Sequence, residues 1–298
     1  MLFLIILLFA APGELFSRAS AESDGFFTFG AVQFAVSEEI YSSGDSFRNA
    51  VNTALDRLEA EAAVSAGSRP LDLAVFPEYT SAFLGLSYLS KTETSTLAAD
   101  PAENYGLIQR AIRKAEPDIL AVWSEISRER DYAILAGSTL IIDPEGRIRN
   151  RALLFSPEGE LVWTQDKVFP GALELSLLNL QTGRVSDAST FDIGGFRIVT
   201  TICRDTYNPI WEQSLPDADL WIDIKANELP YTREYYSQAL PARLPGSPID
   251  IGLTVSLAGE LLRFRFTGPS ELMNDAGLIY STNPYINNEL MVISLPIK

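Results

Sequence analysis

Three apolar segments, each ending in a residue able to do chemistry, most constrain what this chain can fold into. LDLAVFPE (71–78) ends in a carboxylate, LVWTQDK (161–167) in an ammonium and FRIVTTIC (196–203) in a thiol. A continuous apolar run of that length suits a strand buried on both faces, as in a sheet covered by helices. Between such runs the spacing turns helical. Phe47, Val51, Ala54, Leu55, Leu58 and Ala62 share one face behind Ser43 or Asp45 as a cap. A second helical stretch spans about Ala102 to Arg130, broken at Pro117. Further strands read over 26–36 (FFTFGAVQFAV), 132–142, 151–156 and 218–226 (ADLWIDIKA). Asp143-Pro-Glu-Gly146 and Ser156-Pro-Glu-Gly159 read as hairpin turns, because Pro presets φ and Gly accepts φ > 0. Asn274-Asp-Ala-Gly277 makes a similar turn near the end. The alternation has no internal boundary, which predicts a single α/β domain over 22–298.

Composition removes most of the usual chemistry. The 298 residues include no histidine and one cysteine. A Ser-His-Asp triad, a Cys-His dyad and a His-ligated metal are thereby excluded, as are thiolate zinc sites and intrachain disulfides. Proton transfer would have to run on carboxylates, lysine or tyrosine. With 39 acidic against 23 basic residues the formal charge is −16, and no Lys/Arg cluster stands out. Such a surface repels phosphate backbones, so no nucleic-acid partner is expected.

The first residues have the layout of a leader. LFLIILLFAAP (2–12) is apolar but too short to span a bilayer as a mature helix. It is followed by polar residues and Ala19-Ser20-Ala21, an A-x-A pattern. The reading is a signal peptide over 1–21, cleaved after Ala21, and export to the periplasm or beyond without stable membrane insertion afterwards. The segment before the apolar run carries no Lys or Arg, so an uncleaved anchor or a misplaced start codon, which would leave the chain cytoplasmic, stays open.

Glu78, Lys167 and Cys203 each close a strand. Ligands in open α/β folds bind at the carboxyl ends of strands, where three such side chains can meet. The chemistry is coherent. A thiol is little ionised at neutral pH, and a buried glutamate with a raised pKa can take its proton. A neighbouring lysine would favour the thiolate and the oxyanion of a tetrahedral intermediate. Singly, each has an ordinary alternative: a cysteine as a small core residue, a strand-end Glu or Lys as a solvated or paired charge.

Taken in order, the motifs resemble those of the nitrilase, or carbon–nitrogen hydrolase, superfamily. VFPE with Glu78 looks like its first motif, DKVFP with Lys167 its second, and ICRD with Cys203 and Asp205 its third. GAVQFAV is similar to its usual first strand, and Gly268-Pro-Ser270 with Gly277 resembles its closing segment. The resemblance implies a four-layer αββα sandwich, assembly as a homodimer or larger homo-oligomer, and no metal or organic cofactor. It also implies a small-molecule amide-type substrate: an amide or N-carbamoyl group, less often a nitrile, cleaved by hydrolysis or acyl transfer. Tyr79, Arg204, Asp205, Tyr207 and Asn227 flank the triad positions or end a neighbouring strand, and are the candidate substrate contacts. Two departures stand out. An additional acid expected after the Gly-containing strand is replaced by apolar residues in Ala136-Gly-Ser-Thr-Leu-Ile-Ile-Asp143, leaving Asp143 as a displaced substitute or the role empty. The segment after the cysteine reads Tyr207-Asn-Pro-Ile210 instead of the family's Arg-aromatic-Pro-Glu. That change keeps a second reading open, a scaffold that binds a ligand or partner without turnover.

Overall fold

The structure is a computed structural model describing residues 25–66, 69–214, 217–228, 232–283 and 288–297. The leader expected over 1–21 lies outside the described residues.

Strand β1 (Phe26–Val32) leads through the two-residue β2 (Ala35–Val36) to helix α1 (Gly44–Ser65). Ser43 Oγ caps that helix by accepting from Ser46 N at 3.0 Å. β3 (Leu73–Val75) follows, then α2 (Lys91–Ala99) and α3 (Tyr105–Arg130). Next come β4 (Ala133–Ile142), β5 (Ile148–Phe155), β6 (Leu161–Asp166) and the short α4 (Ala172–Leu178). β7 (Phe191–Ile193) and β8 (Phe196–Ile202) precede α5 (Ile210–Ser214) and β9 (Leu220–Lys225). The remainder is α6 (Arg233–Tyr236), α7 (Leu240–Arg243), β10 (Ile251–Ser256), β11 (Ala258–Leu261), β12 (Phe264–Phe266), β13 (Glu271–Asn274), β14 (Gly277–Ser281) and β15 (Leu290–Pro296).

Two six-stranded sheets carry the fold, in the orders β15-β1-β3-β4-β5-β6 and β14-β13-β10-β9-β8-β7. Their facing sides share one core, in which Phe29, Leu73 and Leu154 of the first sheet meet Ile198, Ile222 and Leu253 of the second. The outer face of the first sheet is covered by α1 and α3, whose Phe47, Leu55 and Trp123 share a core with Phe76 just beyond β3. The outer face of the second is covered by Trp211, Leu240 and Leu244 against Val199 and Trp221. This is the expected four-layer αββα sandwich. Burial on both faces explains why the central strands read as unbroken apolar runs.

Three local expectations are corrected. α3 runs through Pro117 without a break. Pro117 and Arg113 both lie on the exposed face, so the carbonyl that loses its amide partner there faces water. The 26–36 segment is two strands, not one: β1 belongs to the first sheet, while β2 pairs with β11 in a separate three-stranded sheet. The 71–78 run is a strand only over Leu73–Val75, and its last residues turn away to form one wall of the site.

Candidate active site

Each of the three strand-end residues is held by a local device. β4 carries a bulge, its register on β5 shifting between Leu135 and Ser138. Gly137 sits in that bulge at φ +69°, so close to the preceding turn that a Cβ would stand 1.8 Å from Pro77 O. Ser138 Oγ accepts from Tyr79 N at 3.1 Å, and Tyr79 itself takes φ +62°. The bulge thus packs β4 against the Pro77 turn that carries Glu78. Lys167 follows β6 directly, and its backbone N–H donates to Asn150 O at 2.9 Å. Cys203 opens a 3₁₀ turn (Cys203–Tyr207) at φ +54°, a conformation unfavourable for a side-chain-bearing residue and common at functional corners.

The site straddles the two sheets. Asp205 follows β8 of the second sheet, yet its Oδ1 accepts from Val168 N at 3.0 Å and Phe169 N at 2.7 Å, just beyond β6 of the first. Its Oδ2 accepts from Ile202 N at 3.1 Å. In return Glu78, three residues beyond β3 of the first sheet, accepts from Ala226 N beyond β9 at 2.9 Å. Asp205 is fully buried with both oxygens engaged, so it ties the lysine loop to the cysteine turn and does not face a substrate. Burial pushes its pKa up to about 7 against the pull of the amides and Lys167.

Around Lys167 the charges converge. Its Nζ donates to Glu78 Oε1 at 2.6 Å and to Glu174 Oε1 at 2.9 Å. Asn150 Nδ2 donates to the same two carboxylates, at 2.9 Å and 3.2 Å. Exposure of the lysine and Glu78 side chains is 2% and 1%, and that of Glu174 is 12%. Burial opposes the lysine's charge, but the two carboxylates outweigh it and raise its pKa. The carboxylates are driven apart. Burial, with the nearby negative charge of Glu174, raises Glu78 above the usual range despite the lysine. Burial also opposes ionisation of Glu174, but there the lysine, the Tyr79 hydroxyl and Gly171 N–H prevail and lower it.

Cys203 Sγ, in a residue 6% exposed, donates to Asn227 Oδ1 at 3.5 Å. Burial and Glu78 push the thiol up to about 12, with Lys167 and Lys225 pulling the other way. Asn227 Nδ2 is buried and makes no hydrogen bond among the described residues. Of the other candidate contacts, Tyr79 OH donates to Glu174. Arg204 is exposed, with its guanidinium carbon 5.2 Å from the centroid of the Tyr207 ring. Both line an open cleft of about 520 Å³ with Val168, Phe169, Leu175 and Gln238. The structure therefore pairs Glu78 with Lys167, sets Asn227 on the Cys203 sulfur and Tyr79 on Glu174, and places Arg204 and Tyr207 along the cleft that opens beside the cysteine turn.

Two polar members of the cluster, Glu174 and Asn150, escape the sequence reading. Asp143 does not supply the second acid. Its Oδ2 accepts from Arg147 Nε at 2.8 Å and Arg149 Nε at 2.9 Å, and its Oδ1 from Arg147 N at 2.9 Å, which organises the β4–β5 hairpin and holds its pKa low. Among the described residues no group of three His, Cys, Asp or Glu side chains is placed to hold a metal ion, and no helix is long and apolar enough to cross a membrane.

No sequence-family model matches the chain. No curated protein matches it in sequence. Solved structures do match in shape. A mutant of the amidase from Nesterenkonia sp. AN1 bearing the acetamide moiety of fluoroacetamide on its active-site cysteine superposes with a TM-score of 0.67 at 17% identity, over 95% of this chain and 94% of that one. The same amidase, as an active-site mutant in complex with butyramide, gives 0.66 at 17% identity over 91% of each chain. A further mutant, described as an amidase from the nitrilase superfamily, gives 0.65 at 17% identity over 91% and 92%.

Proposed function

With the fold of the nitrilase-superfamily amidases as premise, we propose that this chain hydrolyses a non-peptide carbon–nitrogen bond, an amide or N-carbamoyl group, through a thioester on Cys203. The observation that carries the reading is the buried lysine shared by two carboxylates of opposite pKa shift beside the chain's single cysteine. Two carboxylates pushed apart in this way divide into a proton carrier and a fixed anion. Glu78, raised, is the carrier. Glu174, lowered, stays charged and keeps Lys167 protonated and aimed.

In the first half-reaction the Cys203 proton passes to Glu78 as Sγ bonds to the carbonyl carbon. The carbonyl electrons move to oxygen, and Lys167 Nζ with Asn227 Nδ2 stabilises that oxyanion. Collapse breaks the C–N bond, and the leaving nitrogen takes the proton from Glu78 and departs as ammonia or an amine. In the second half-reaction water gives a proton to Glu78 and attacks the thioester. The C–S bond breaks, the proton returns to sulfur, and the carboxylic acid leaves. The loss of one oxyanion stabiliser costs about 10²–10³ in rate in comparable sites. The cleft beside Arg204 and Tyr207 would hold the acyl portion of the substrate.

The test is ammonia release across short aliphatic amides, N-carbamoyl compounds and nitriles, comparing wild type with Cys203→Ala. Turnover by wild type with acyl-thioester trapped by mass spectrometry, and none by the variant, supports the reading. Equal background from both proteins across the panel would leave a fold that binds without turnover.

A further inference from the structure

Behind Cys203 lies a second buried ion pair that the proposed chemistry does not use. β9 alternates Leu220, Ile222 and Ile224 into the inter-sheet core with Trp221, Asp223 and Lys225 on the opposite face. Lys225 Nζ stands 2.6 Å from Asp223 Oδ2, and the side chains are 1% and 0% exposed. Tyr235 and Tyr207 cover the ammonium, their ring centroids 5.1 Å and 5.9 Å from Nζ. β8 pairs with β9 in parallel, Ile202 opposite Ile224, so Cys203, the first residue beyond β8, follows the strand position beside Lys225, the last residue of β9. Asp223 is anchored in turn, accepting from Thr201 Oγ1 at 3.1 Å. Thr206 Oγ1 donates to Cys203 O at 2.9 Å and lies 3.3 Å from Asp223 Oδ2, which links the pair to the cysteine turn.

Replacing such a pair by apolar residues of similar volume is commonly neutral or stabilising, so stability alone does not account for it. What distinguishes this one is its link to the cysteine turn through Thr206 and its burial away from solvent screening. We propose that Lys225 is a second electrostatic partner of Cys203: clamped on Asp223 and shielded by Tyr207 and Tyr235, it holds a fixed positive charge behind the sulfur and favours its anionic form. The inference rests on Cys203 being the nucleophile, and Lys225 acts as a positioning residue because it touches no reacting atom. The groups that bear on the sulfur are Glu78 and Lys167 from the first sheet and Asp223 and Lys225 from β9, with Tyr79 and Tyr207 from the adjoining turns. Of the β9 pair the lysine pulls the thiol toward ionisation and the aspartate away from it.

The opposed signs give a test independent of turnover. The chain contains one cysteine, so alkylation by iodoacetamide, an uncharged reagent, reports on that thiol without background. Well below the thiol pKa the rate follows the thiolate fraction. At pH 8, Lys225→Met is expected to slow alkylation about tenfold as the thiolate fraction falls with the loss of the cation, and Lys225→Arg to restore it. Asp223→Asn is expected to speed it. General loosening of the turn would speed alkylation in both Lys225→Met and Asp223→Asn, which overturns the inference, as does a Lys225→Met rate equal to wild type. If Lys225→Met does not fold, Asp223→Asn decides alone: a rate equal to or below wild type overturns the proposal. An enzyme silent in the ammonia assay but showing these opposed changes in rate would refute the amidase reading and leave Lys225 in the role assigned here.

Discussion

Lys167→Met tests the charge cluster most directly. The substitution keeps most of the side-chain volume and removes the cation that Glu78, buried, and Glu174, partly buried, share at 2.6 Å and 2.8 Å. At an effective dielectric of about 20, each unit-charge contact near 4 Å is worth about 4 kcal/mol before desolvation. Removing one member of a buried pair leaves an uncompensated charge and costs about 3–5 kcal/mol net. For a chain of this size that is a fall of roughly 5–8 °C in Tm, from an unfolding entropy of about 2.1 cal/mol/K per residue. The cost depends on pH, and its sign can be worked out. Without the lysine, the main influence lowering both carboxylates is gone, so both folded-state pKa values rise above the unfolded value of about 4.3. A carboxylate raised on folding stabilises the fold below its unfolded pKa and loses that contribution as pH climbs through its folded pKa. The deficit of Lys167→Met relative to wild type is therefore small at pH 5 and full at pH 8. Thermal unfolding of both proteins at the two pH values measures it. A deficit identical at pH 5 and pH 8, or one below about 1 kcal/mol at pH 8, would show that the three groups do not form the charge cluster described.

Further outcomes follow from the same geometry. Glu174 raises Glu78, so Glu174→Gln should shift the acidic limb of the pH–rate profile for ammonia release to lower pH while lowering the plateau; an acid limb moving upward contradicts the division of roles. Asp205→Asn replaces one acceptor oxygen by an N–H donor facing Ile202 N–H or the Val168 and Phe169 amides. It should cost about 1–3 kcal/mol in chemical denaturation, and a neutral result would refute the strap between the two loops. Gly137→Ala places a Cβ against Pro77 O at a positive φ, so it should lower thermal stability by about 3 kcal/mol or more and depress turnover as the Glu78 turn shifts. Wild-type stability and activity in that variant would mean that the bulge does not hold the Glu78 turn.

Glu78, Lys167 and Cys203 drew attention because each closes an apolar run and carries its motif with it, and the sandwich was legible because strands buried on both faces lose their polar alternation. Glu174 was not legible for a physical reason. It sits on a seven-residue helix that buries none of its residues, so no periodicity marks it, and its contact with Lys167 exists only once the chain folds back after β6. The only local signal was Gly171-x-x-Glu174, the spacing of a helix start, and the same carboxylate does accept from Gly171 N. Asp143 drew attention by standing near the expected position, but the arginines of its own hairpin, Arg147 and Arg149, claim it. Asn150 looks like any polar residue in a hairpin strand. It matters because its side chain bridges two carboxylates that are 96 residues apart in sequence (174 − 78). Lys225 was in plain view within ADLWIDIKA, but a strand pattern cannot say that the neighbouring strand delivers a cysteine beside it.

Because the two sheets each supply part of the site and are stitched there by Glu78 on one side and Asp205 on the other, the proposed reaction centre would work as a strain gauge for the sandwich. The apolar core is held by non-directional contacts, so a small slip of the layers weakens it more gradually than it weakens the directional hydrogen bonds of the site. The same slip would pull the hydrogen-bonded charges out of register, and a misplacement of about 1 Å can cost 10²-fold in rate. Mild heat or pressure should therefore extinguish activity, reversibly, at conditions where the helices and the buried tryptophans still report an intact fold.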